Sequence, residues 1–230
     1  MKKRATKEPQ YANVFETLEK YGETKLGLMV NQAWNDDPKR VLFTLARYKF
    51  VAKMLSGAAT VLEIGCADAF GTRLVQQEVG KLTAVDFDPV FIEDVVARSN
   101  PHWPLESLVH DLVASPVSGT FDAAYCLDVL EHIKPEDEDA FLRHMIQSLT
   151  PNGVAIIGMP SLESQAFASP QSKAGHVNCK SGPDLKRVLL HHFHNVFLFS
   201  MNDEVVHTGF HPMAHYLLGI CAGRRDASNQ

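Results

Sequence analysis

The sequence lacks several features that mark specialised classes of protein. No apolar run approaches the roughly 20 residues that a membrane-spanning helix needs, and no internal repeat or low-complexity stretch is present. The formal net charge is −5, whereas a general nucleic-acid binder carries a basic face. We therefore expect neither a membrane segment nor a nucleic-acid partner.

Cysteine is scarce and offers no framework for disulfides. The four cysteines are widely spaced, at Cys66, Cys126, Cys179 and Cys221. The chain starts with basic residues, including Lys2, Lys3 and Arg4, but the apolar stretch of a secretory signal does not follow them. The pattern predicts free thiols and a cytoplasmic location.

The chain is organised around residues 60–75. Val61, Leu62 and Ile64 form a short apolar run typical of a buried parallel strand, and Gly65 ends it. A helix is predicted from Gly71. A strand, a loop of small residues and a helix N-terminus form a cradle that lets a ligand approach the backbone.

The spacing of the two glycines and the acid before them narrow the choice of ligand. Five residues separate Gly65 from Gly71, which is not the G-x-G-x-x-G of nicotinamide dinucleotide enzymes. Glu63 precedes the turn, and we expect its carboxylate to point at the ligand. A negative charge there suits a cationic group and repels a pyrophosphate.

Four more buried strands are predicted along the chain. The second, residues 81–86, ends at Asp86, where an acid commonly holds ribose hydroxyls in such units. The others are expected at residues 105–109, 121–126 and 154–159, with helices between them. Later strands are predicted at 195–201 and 213–222.

Together these segments resemble the class I S-adenosylmethionine-dependent methyltransferases of the bacterial, small-molecule type. The matching segments are residues 61–71, 84–88, 110–112, 121–132 and 149–159. The resemblance implies a doubly wound, Rossmann-like α/β fold. It implies a seven-stranded sheet, mostly parallel with an antiparallel last strand, and helices on both faces. One departure is that Ala67 and Ala69 stand where the family's loop usually has its second and third glycine.

The resemblance also implies that S-adenosylmethionine is the cofactor and suggests where it binds. The implied cofactor-binding residues are Arg47, Glu63, Gly65, Cys66, Asp86, Phe87, Asp111, Leu112 and Leu127. Asp86 would hold the ribose, and Asp111 with Leu112 the adenine. Arg47 is open to two interpretations: it meets the cofactor's carboxylate, or it pairs with an acidic side chain at the surface.

Two segments outside the shared core are predicted to cover the site. Residues 1–56 are expected to form an N-terminal helical cap, and residues 57–230 the methyltransferase core. Residues 158–182, here called the lid segment, show no clear periodicity and are too long for an ordinary loop. Because they leave the carboxyl end of a central strand, we expect them to act as a substrate lid.

Two histidines are candidates for the base that a hydroxyl acceptor needs. His132 follows the fourth strand and His176 lies in the lid segment; His176 is slightly favoured because the lid segment departs most from the family. Each has a structural alternative, because a histidine at such a position also bonds to backbone. Asp128 and Asn178 are the candidate substrate-binding residues.

No metal site is expected from the sequence. His207, His211 and His215 have the spacing of helical metal ligands, but Gly209 and Pro212 argue against one helix there. Asp128 and Glu131 are acids after strand four, yet no obvious partner follows strand five.

The function predicted from these features is methyl transfer to a small molecule. The acceptor is expected to be a hydroxyl of a sugar, a quinone precursor or a secondary metabolite. The alternatives are N-methylation of a small amine, and a cofactor-binding partner protein without catalysis. A homodimer is left open.

Overall fold

The computed structural model describes residues 5–225, so the basic residues Lys2, Lys3 and Arg4 and the polar tail from residue 226 onward lie outside the described part. The described chain contains eight strands: β1 Thr60–Ile64, β2 Lys81–Asp86, β3 Glu106–Val109, β4 Phe121–Leu127, β5 Leu149–Pro160, β6 Phe193–Asn202, β7 Val205–His207 and β8 Tyr216–Arg224. Its α-helices are α1 Asn13–Tyr21, α2 Leu28–Asp36, α3 Lys39–Met54, α4 Thr72–Gln76, α5 Pro89–Ala97, α6 Glu138–Gln147, α7 Pro170–Gly175 and α8 Gly182–His192. None of the helices in the described residues is long and apolar enough to cross a membrane.

The strands form one sheet in the order β3-β2-β1-β4-β5-β8-β6-β7. Strands β3, β2, β1, β4 and β5 are parallel, and β8 lies antiparallel between β5 and β6. The carboxyl ends of the parallel strands therefore meet at one edge, where open α/β sheets bind ligands. The predicted α/β class and antiparallel last strand are confirmed.

The expected count of seven strands is wrong by one. The additional strand, β7, is short and pairs antiparallel with the end of β6, from Asn202 opposite Val205 to Ser200 opposite His207. Asp203 in the intervening turn has a φ of 50°, a left-handed conformation that suits a two-residue hairpin. A three-residue edge strand is too short for its periodicity to be recognised in the sequence.

Two hydrophobic clusters fill the two faces of the sheet because successive strand residues point to opposite sides. Leu62 and Ile64 of β1 belong to the cluster that contains buried residues of α6 and α8. Val61 belongs to the other cluster, with buried residues of α3 and α5. Strand β1, whose carboxyl end leads into the candidate site, is thus packed against buried side chains on both faces of the sheet.

The N-terminal helices reach the loop after β1. The backbone N–H of Val30 in α2 donates a hydrogen bond of 2.8 Å to Oδ2 of Asp68 in that loop. The Tyr48 ring of α3 packs so closely on Gly71 that a Cβ there would lie 2.3 Å from it. These contacts place α2 and α3 against the loop, as a cap would require.

The lid segment differs from the irregular loop that its sequence predicts. Its first residues still belong to β5, and it then contains a 3-10 turn at Glu163–Phe167 and helix α7. The Oγ atom of Ser169 caps α7 by accepting a hydrogen bond from the Ser172 backbone N–H. Pieces this short give no periodic signal, which explains the difference.

Candidate active site

The loop between β1 and α4 has an unusual backbone. Gly65, Ala67 and Ala69 all have positive φ angles, of 71°, 45° and 49°. Gly65 cannot carry a side chain, because a Cβ would lie 2.3 Å from Cγ2 of Val129. The two alanines keep the left-handed conformation that glycine adopts freely, at a cost of about 1–2 kcal/mol each. The alanines at these two positions therefore strain the backbone of the loop.

Glu63 lies beneath this loop and does not point at a ligand, contrary to the expectation. Its side chain is buried and accepts hydrogen bonds from the Tyr48 hydroxyl, 2.8 Å from Oε1, and the Thr72 hydroxyl, 2.7 Å from Oε2. Burial raises the pKa of Glu63 to about 7, although the hydrogen bonds from Thr72 and Tyr48 oppose the shift. Glu63 thus ties α3 and α4 to β1 from inside the core.

Asp86 joins the end of β2 to the same loop. Its Oδ2 atom accepts a 2.8 Å hydrogen bond from the Ala67 N–H, and its Oδ1 atom a 3.0 Å hydrogen bond from the Asp88 N–H. Next to it, the Phe87 side chain is 72% exposed. An apolar ring this exposed beside a strand's carboxyl end is available to a ligand. The ribose role of Asp86 stays a prediction.

The remaining predicted cofactor residues lie around the same edge of the sheet. Asp111 follows β3 and accepts a 2.9 Å hydrogen bond from the Val113 N–H through Oδ1. Leu112, Leu127 and Cys66 are buried, so what they can offer a ligand is mainly backbone and a small apolar surface.

Arg47 forms an ion pair with Asp128, a partner that the sequence did not identify. Its Nη1 atom donates to both carboxylate oxygens of Asp128, at 2.8 and 2.6 Å, and its guanidinium stacks 3.9 Å from the centre of the Tyr216 ring. The Arg47 side chain is only 19% exposed, so this is not a surface pair. Asp128, expected to bind substrate, is thereby held by Arg47.

Glu131 is buried and its carboxylate is unpartnered. Both carboxylate oxygens lack a hydrogen-bond partner. Burial, together with the nearby Asp128 charge, raises its pKa well above the usual range. Its backbone carbonyl accepts hydrogen bonds from the N–H groups of Val177, at 2.8 Å, and Asn178, at 3.0 Å. Glu131 is thus in contact with the lid segment.

The two candidate histidines come together at this point. The rings of His132 and His176 are 5.1 Å apart and inclined at 70°. Nδ1 of His132 lies 2.9 Å from the Gly175 carbonyl oxygen, and Nδ1 of His176 lies 2.8 Å from Oε1 of Gln165. Burial lowers the pKa of His176, and the neighbouring His132 adds to this. One potential ligand atom from each of Glu131, His132 and His176 lies within 4.8 Å of the other two.

The side-chain amide of Asn178, predicted to bind substrate, is already hydrogen-bonded within the protein. It is buried, its Nδ2 atom donates a 2.8 Å hydrogen bond to Glu138, and its Oδ1 atom accepts one of 3.0 Å from Lys180. Because the side-chain amide is engaged with two charged groups, its expected contact with substrate is not supported.

A cavity of about 440 Å³ opens beside His176, between the lid segment and residues 212–215. Its lining includes His176, Gln165, Glu163, Phe167 and Met213. The Phe167 and Met213 side chains are 92% and 75% exposed, and Oε2 of Glu163 is buried without a partner. The cavity therefore offers apolar surface, and the wall residue Glu163 has a buried carboxylate oxygen without a partner.

Residues 61–153 match the family model described as a methyltransferase domain. This part of the chain, from β1 into β5, is thus similar to the methyltransferase domain of the class I S-adenosylmethionine-dependent methyltransferases. Among curated relatives the chain is similar to a "Ubiquinone biosynthesis O-methyltransferase" of Xanthomonas axonopodis pv. citri, at 30% identity over 63% of this chain and 62% of that protein. The chain thus spans about six tenths of the length of such relatives.

Solved structures of other methyltransferases share the fold. The N-methyltransferase NodS from Bradyrhizobium japonicum WM9, in complex with S-adenosyl-L-homocysteine, superposes with a TM-score of 0.58 at 18% identity. The aligned region covers 82% of this chain and 89% of that one. A putative methyltransferase bound to the Haloferax volcanii Trm112 activator gives a TM-score of 0.65 at 11% identity, over 87% of this chain and all of that one. At these identities the likeness concerns the fold alone.

Three candidate functional residues were not predicted from the sequence. Tyr216 stacks on Arg47 and its hydroxyl accepts a 3.1 Å hydrogen bond from the Asp128 N–H, while Glu163 and Gln165 reach the cavity. Tyr216 comes from β8, far along the chain, so no local motif signals it. His207, His211 and His215 lie on β7, a 3-10 turn and the following loop, which agrees with the argument against one helix there.

Proposed function

We propose that this protein transfers the methyl group of S-adenosylmethionine to a hydroxyl of a small, partly apolar acceptor. One observation carries the proposal. The strained loop after β1 and the cavity beside His176 lie at the same edge of the sheet, with the end of β4 and Asp128 between them. In-line displacement at a sulfonium carbon requires such neighbouring sites, because catalysis depends on aligning the acceptor with the methyl group.

The cofactor half of the site is the loop together with the ends of β2 and β3. In this proposal Asp86 accepts hydrogen bonds from the ribose hydroxyls, and the exposed Phe87 ring covers the apolar face of the nucleoside. Asp111 and Leu112 contact the adenine. The loop is supported in its conformation before any ligand binds, because Asp86 accepts the Ala67 N–H.

The acceptor half is the cavity of about 440 Å³, a volume that suits a small molecule. Its exposed Phe167 and Met213 side chains favour an acceptor with an aromatic or apolar body over a sugar. Glu163 adds a carboxylate to the cavity wall, which can accept a hydrogen bond from a hydroxyl on that acceptor. The name of the relatives from Xanthomonas, an O-methyltransferase, points in the same direction.

Proton removal from the hydroxyl is assigned to the cluster of Glu131, His132 and His176. Nδ1 of His176 is occupied by Gln165, which leaves Nε2 of this cavity-lining residue for the acceptor, while the His132 ring packs against that of His176. The proton of the O–H bond passes to Nε2 of His176, the oxygen forms a bond to the methyl carbon, and the bond from that carbon to sulfur breaks, so that S-adenosylhomocysteine leaves. Arg47 and Asp128 are proposed to hold the end of β4 in place.

The cap and the lid segment complete the proposal. We assign residues 1–56 to the helical cap, which touches the cofactor loop through Val30 and Tyr48. The lid segment is assigned to substrate enclosure, because it supplies His176 and the cavity wall.

Titration calorimetry tests the cofactor half. S-Adenosylhomocysteine is expected to bind and NAD is not; binding of NAD alone would contradict the proposal. Phe87→Ala should weaken binding, whereas Phe197→Ala, which removes an equally apolar exposed ring from β6, should not.

A turnover assay with labelled S-adenosylmethionine tests the reaction. A panel of phenols and catechols is compared with the corresponding amines and with sugars. Transfer to aromatic hydroxyls is expected, and Phe167→Ala should raise KM with little change in kcat. Preference for amines would favour N-methylation, and cofactor binding with no turnover on any panel member would favour the non-catalytic alternative.

A further inference from the structure

A second cavity lies beside the loop after β1, and the proposed function does not use it. It holds about 200 Å³ and is lined by that loop, by helices α4 and α5, and by the segment that leads into β3. Asp68 and Ala69 of the loop form one wall, but none of the side chains assigned to the cofactor or to the acceptor lines this cavity. Its role must therefore be argued from its own residues.

Positive charge predominates in this cavity. Arg73, Arg98 and Lys25 line it, against the single carboxylate of Asp68. That carboxylate already accepts hydrogen bonds from two backbone N–H groups, at 2.8 and 3.2 Å, and it forms no ion pair within the described residues. The lining thus carries an excess of two positive charges.

Arg73 is the arginine that the fold leaves without a partner. Its guanidinium makes no hydrogen bond or ion pair within residues 5–225, whereas every other arginine in that range donates at least one side-chain hydrogen bond. The residue is nevertheless partly buried, and burial together with the nearby Arg98 charge lowers the pKa of Arg73. A guanidinium that has lost hydration beside a like charge is stabilised by a bound anion.

Arg98 is held in place and still has a donor to offer. Its Nε and Nη2 atoms donate to Oδ2 of Asp94, at 3.0 and 2.8 Å, and Nη2 also donates to the Asp68 carbonyl oxygen. Nη1 makes no hydrogen bond to the described residues, and it is not enclosed by them. An anion in the cavity would therefore meet a guanidinium whose position is already fixed, which lowers the entropic cost of binding.

The size and walls of the cavity restrict the anion to a small molecule. Its volume is below the roughly 300–1,000 Å³ of sites for drug-sized ligands. Trp103 and Leu105 supply apolar surface, and Ser99 and Asn100 supply polar groups. The excess of two positive charges matches a dianion, and the planar fork of a guanidinium suits the oxygens of a phosphate group.

We propose that this cavity binds a small phosphate monoester. The phosphate lies between Arg73, Arg98 and Lys25, and the organic part packs on Trp103. Inorganic phosphate has the same charged group and should bind more weakly, because it leaves the apolar wall uncovered. The proposal does not rest on methyl transfer, since no side chain assigned to that reaction takes part.

Tryptophan fluorescence and calorimetry on the full chain test binding without the cofactor. Trp34→Phe removes the other tryptophan, so the emission then reports Trp103 alone. Phenyl phosphate, inorganic phosphate and malonate are titrated at constant ionic strength. Saturable binding of phenyl phosphate is expected, about 10-fold tighter than that of inorganic phosphate, with a change in Trp103 emission. Absence of saturable binding at millimolar phenyl phosphate, or an equal affinity for malonate, would overturn the proposal.

Substitution of Arg73 locates the anion. Arg73→Met breaks no hydrogen bond within the described protein and should weaken phenyl phosphate binding about 10–100-fold. Arg73→Lys should retain part of the affinity, because the charge remains and the planar fork is lost. Arg143→Met, which removes the same charge from an exposed position of α6, is the matched control and should leave the affinity unchanged. An equal loss in both methionine variants would indicate non-specific charge attraction and overturn the site.

Urea unfolding separates loss of the site from loss of the fold. In phosphate-free buffer, Arg73→Met should unfold at no lower urea concentration than the wild type. Phenyl phosphate should raise the midpoint of the wild type and of Arg143→Met but not that of Arg73→Met, because a ligand that binds only the folded state stabilises it. Equal stabilisation of all three proteins would contradict the assignment.

Competition with S-adenosylhomocysteine distinguishes this cavity from the cofactor half of the site. Phenyl phosphate should remain bound when S-adenosylhomocysteine is saturating, because the two ligands are assigned to different side chains. Displacement would place the anion in the cofactor half and overturn the proposal, while leaving the proposed methyl transfer intact.

Discussion

Replacing Glu63 by glutamine should change how the protein's stability depends on pH. Glu63 is buried beneath the β1–α4 loop, and burial raises its pKa to about 7 from an ordinary value of 4.5. Glutamine has nearly the same shape and cannot titrate. The hydroxyls of Tyr48 and Thr72 can rotate to meet the amide, so the variant should fold.

The direction in which stability changes with pH follows from proton binding to Glu63. Between pH 4.5 and 7 the folded protein holds a proton on Glu63 that the unfolded chain has released, so the free energy of unfolding falls as the pH rises through this window. The stabilisation is fully present below about pH 4.5 and is lost above about pH 7. The shift predicts a loss of roughly 2–3 kcal/mol between pH 5 and pH 8.

Urea unfolding at pH 5, 6, 7 and 8, followed by circular dichroism, measures this effect without added cofactor. The difference between wild type and Glu63→Gln should change by about 2–3 kcal/mol over the series, with half of the change near pH 6. Glu93→Gln, at an exposed glutamate of α5, is the control and should follow the wild type. Parallel curves for wild type and Glu63→Gln would refute the reasoning, because Glu63 would then titrate alike in both states.

Three further outcomes are expected. Ala67→Gly should raise the free energy of unfolding by up to about 1 kcal/mol, because relief of the left-handed conformation exceeds the added chain entropy, whereas Ala58→Gly should lower it; both are measured by urea unfolding. Arg47→Met should cost roughly 3 kcal/mol of stability by leaving Asp128 without its partner, against at most about 0.5 kcal/mol for Arg40→Met at the exposed helical pair with Asp36. Asp86→Ala should cost about 1–3 kcal/mol of S-adenosylhomocysteine binding in calorimetry, and an unchanged affinity would exclude it from the cofactor site.

The parallel half of the fold could be predicted because its signals are local. The apolar runs of β1 and β2 predict strands whose ends the structure reproduces closely, and β3 and β4 follow. The helix predicted from Gly71 is present as α4, Thr72–Gln76. Strand β7 and helix α7 were missed, since elements this short carry no periodicity.

The candidate site could be predicted as a location but not as a set of contacts. Sheet topology places His132 and the lid segment at one edge, and their meeting agrees with that expectation. The partners of Glu63 and Asn178 could not be foreseen, because hydrogen bonds such as the one between His132 and the residue 43 positions later depend on how distant segments pack. No sequence pattern reveals that the Glu131 carboxylate lacks a partner.

The two halves of the site differ in how completely folding satisfies their polar groups. In the cofactor half, the carboxylates of Glu63 and Asp86 each accept two hydrogen bonds from the protein. Buried atoms without partners include Nε of Arg47, both carboxylate oxygens of Glu131 and Oε2 of Glu163 around the acceptor half, but only the Tyr125 hydroxyl beside Glu63 in the cofactor half of the described residues. Each such atom costs about 1–3 kcal/mol, and a protein retains that cost where a ligand offsets it. The cofactor loop is therefore formed in advance at the expense of backbone strain, whereas the proposed acceptor half keeps buried polar atoms that the described protein leaves without partners.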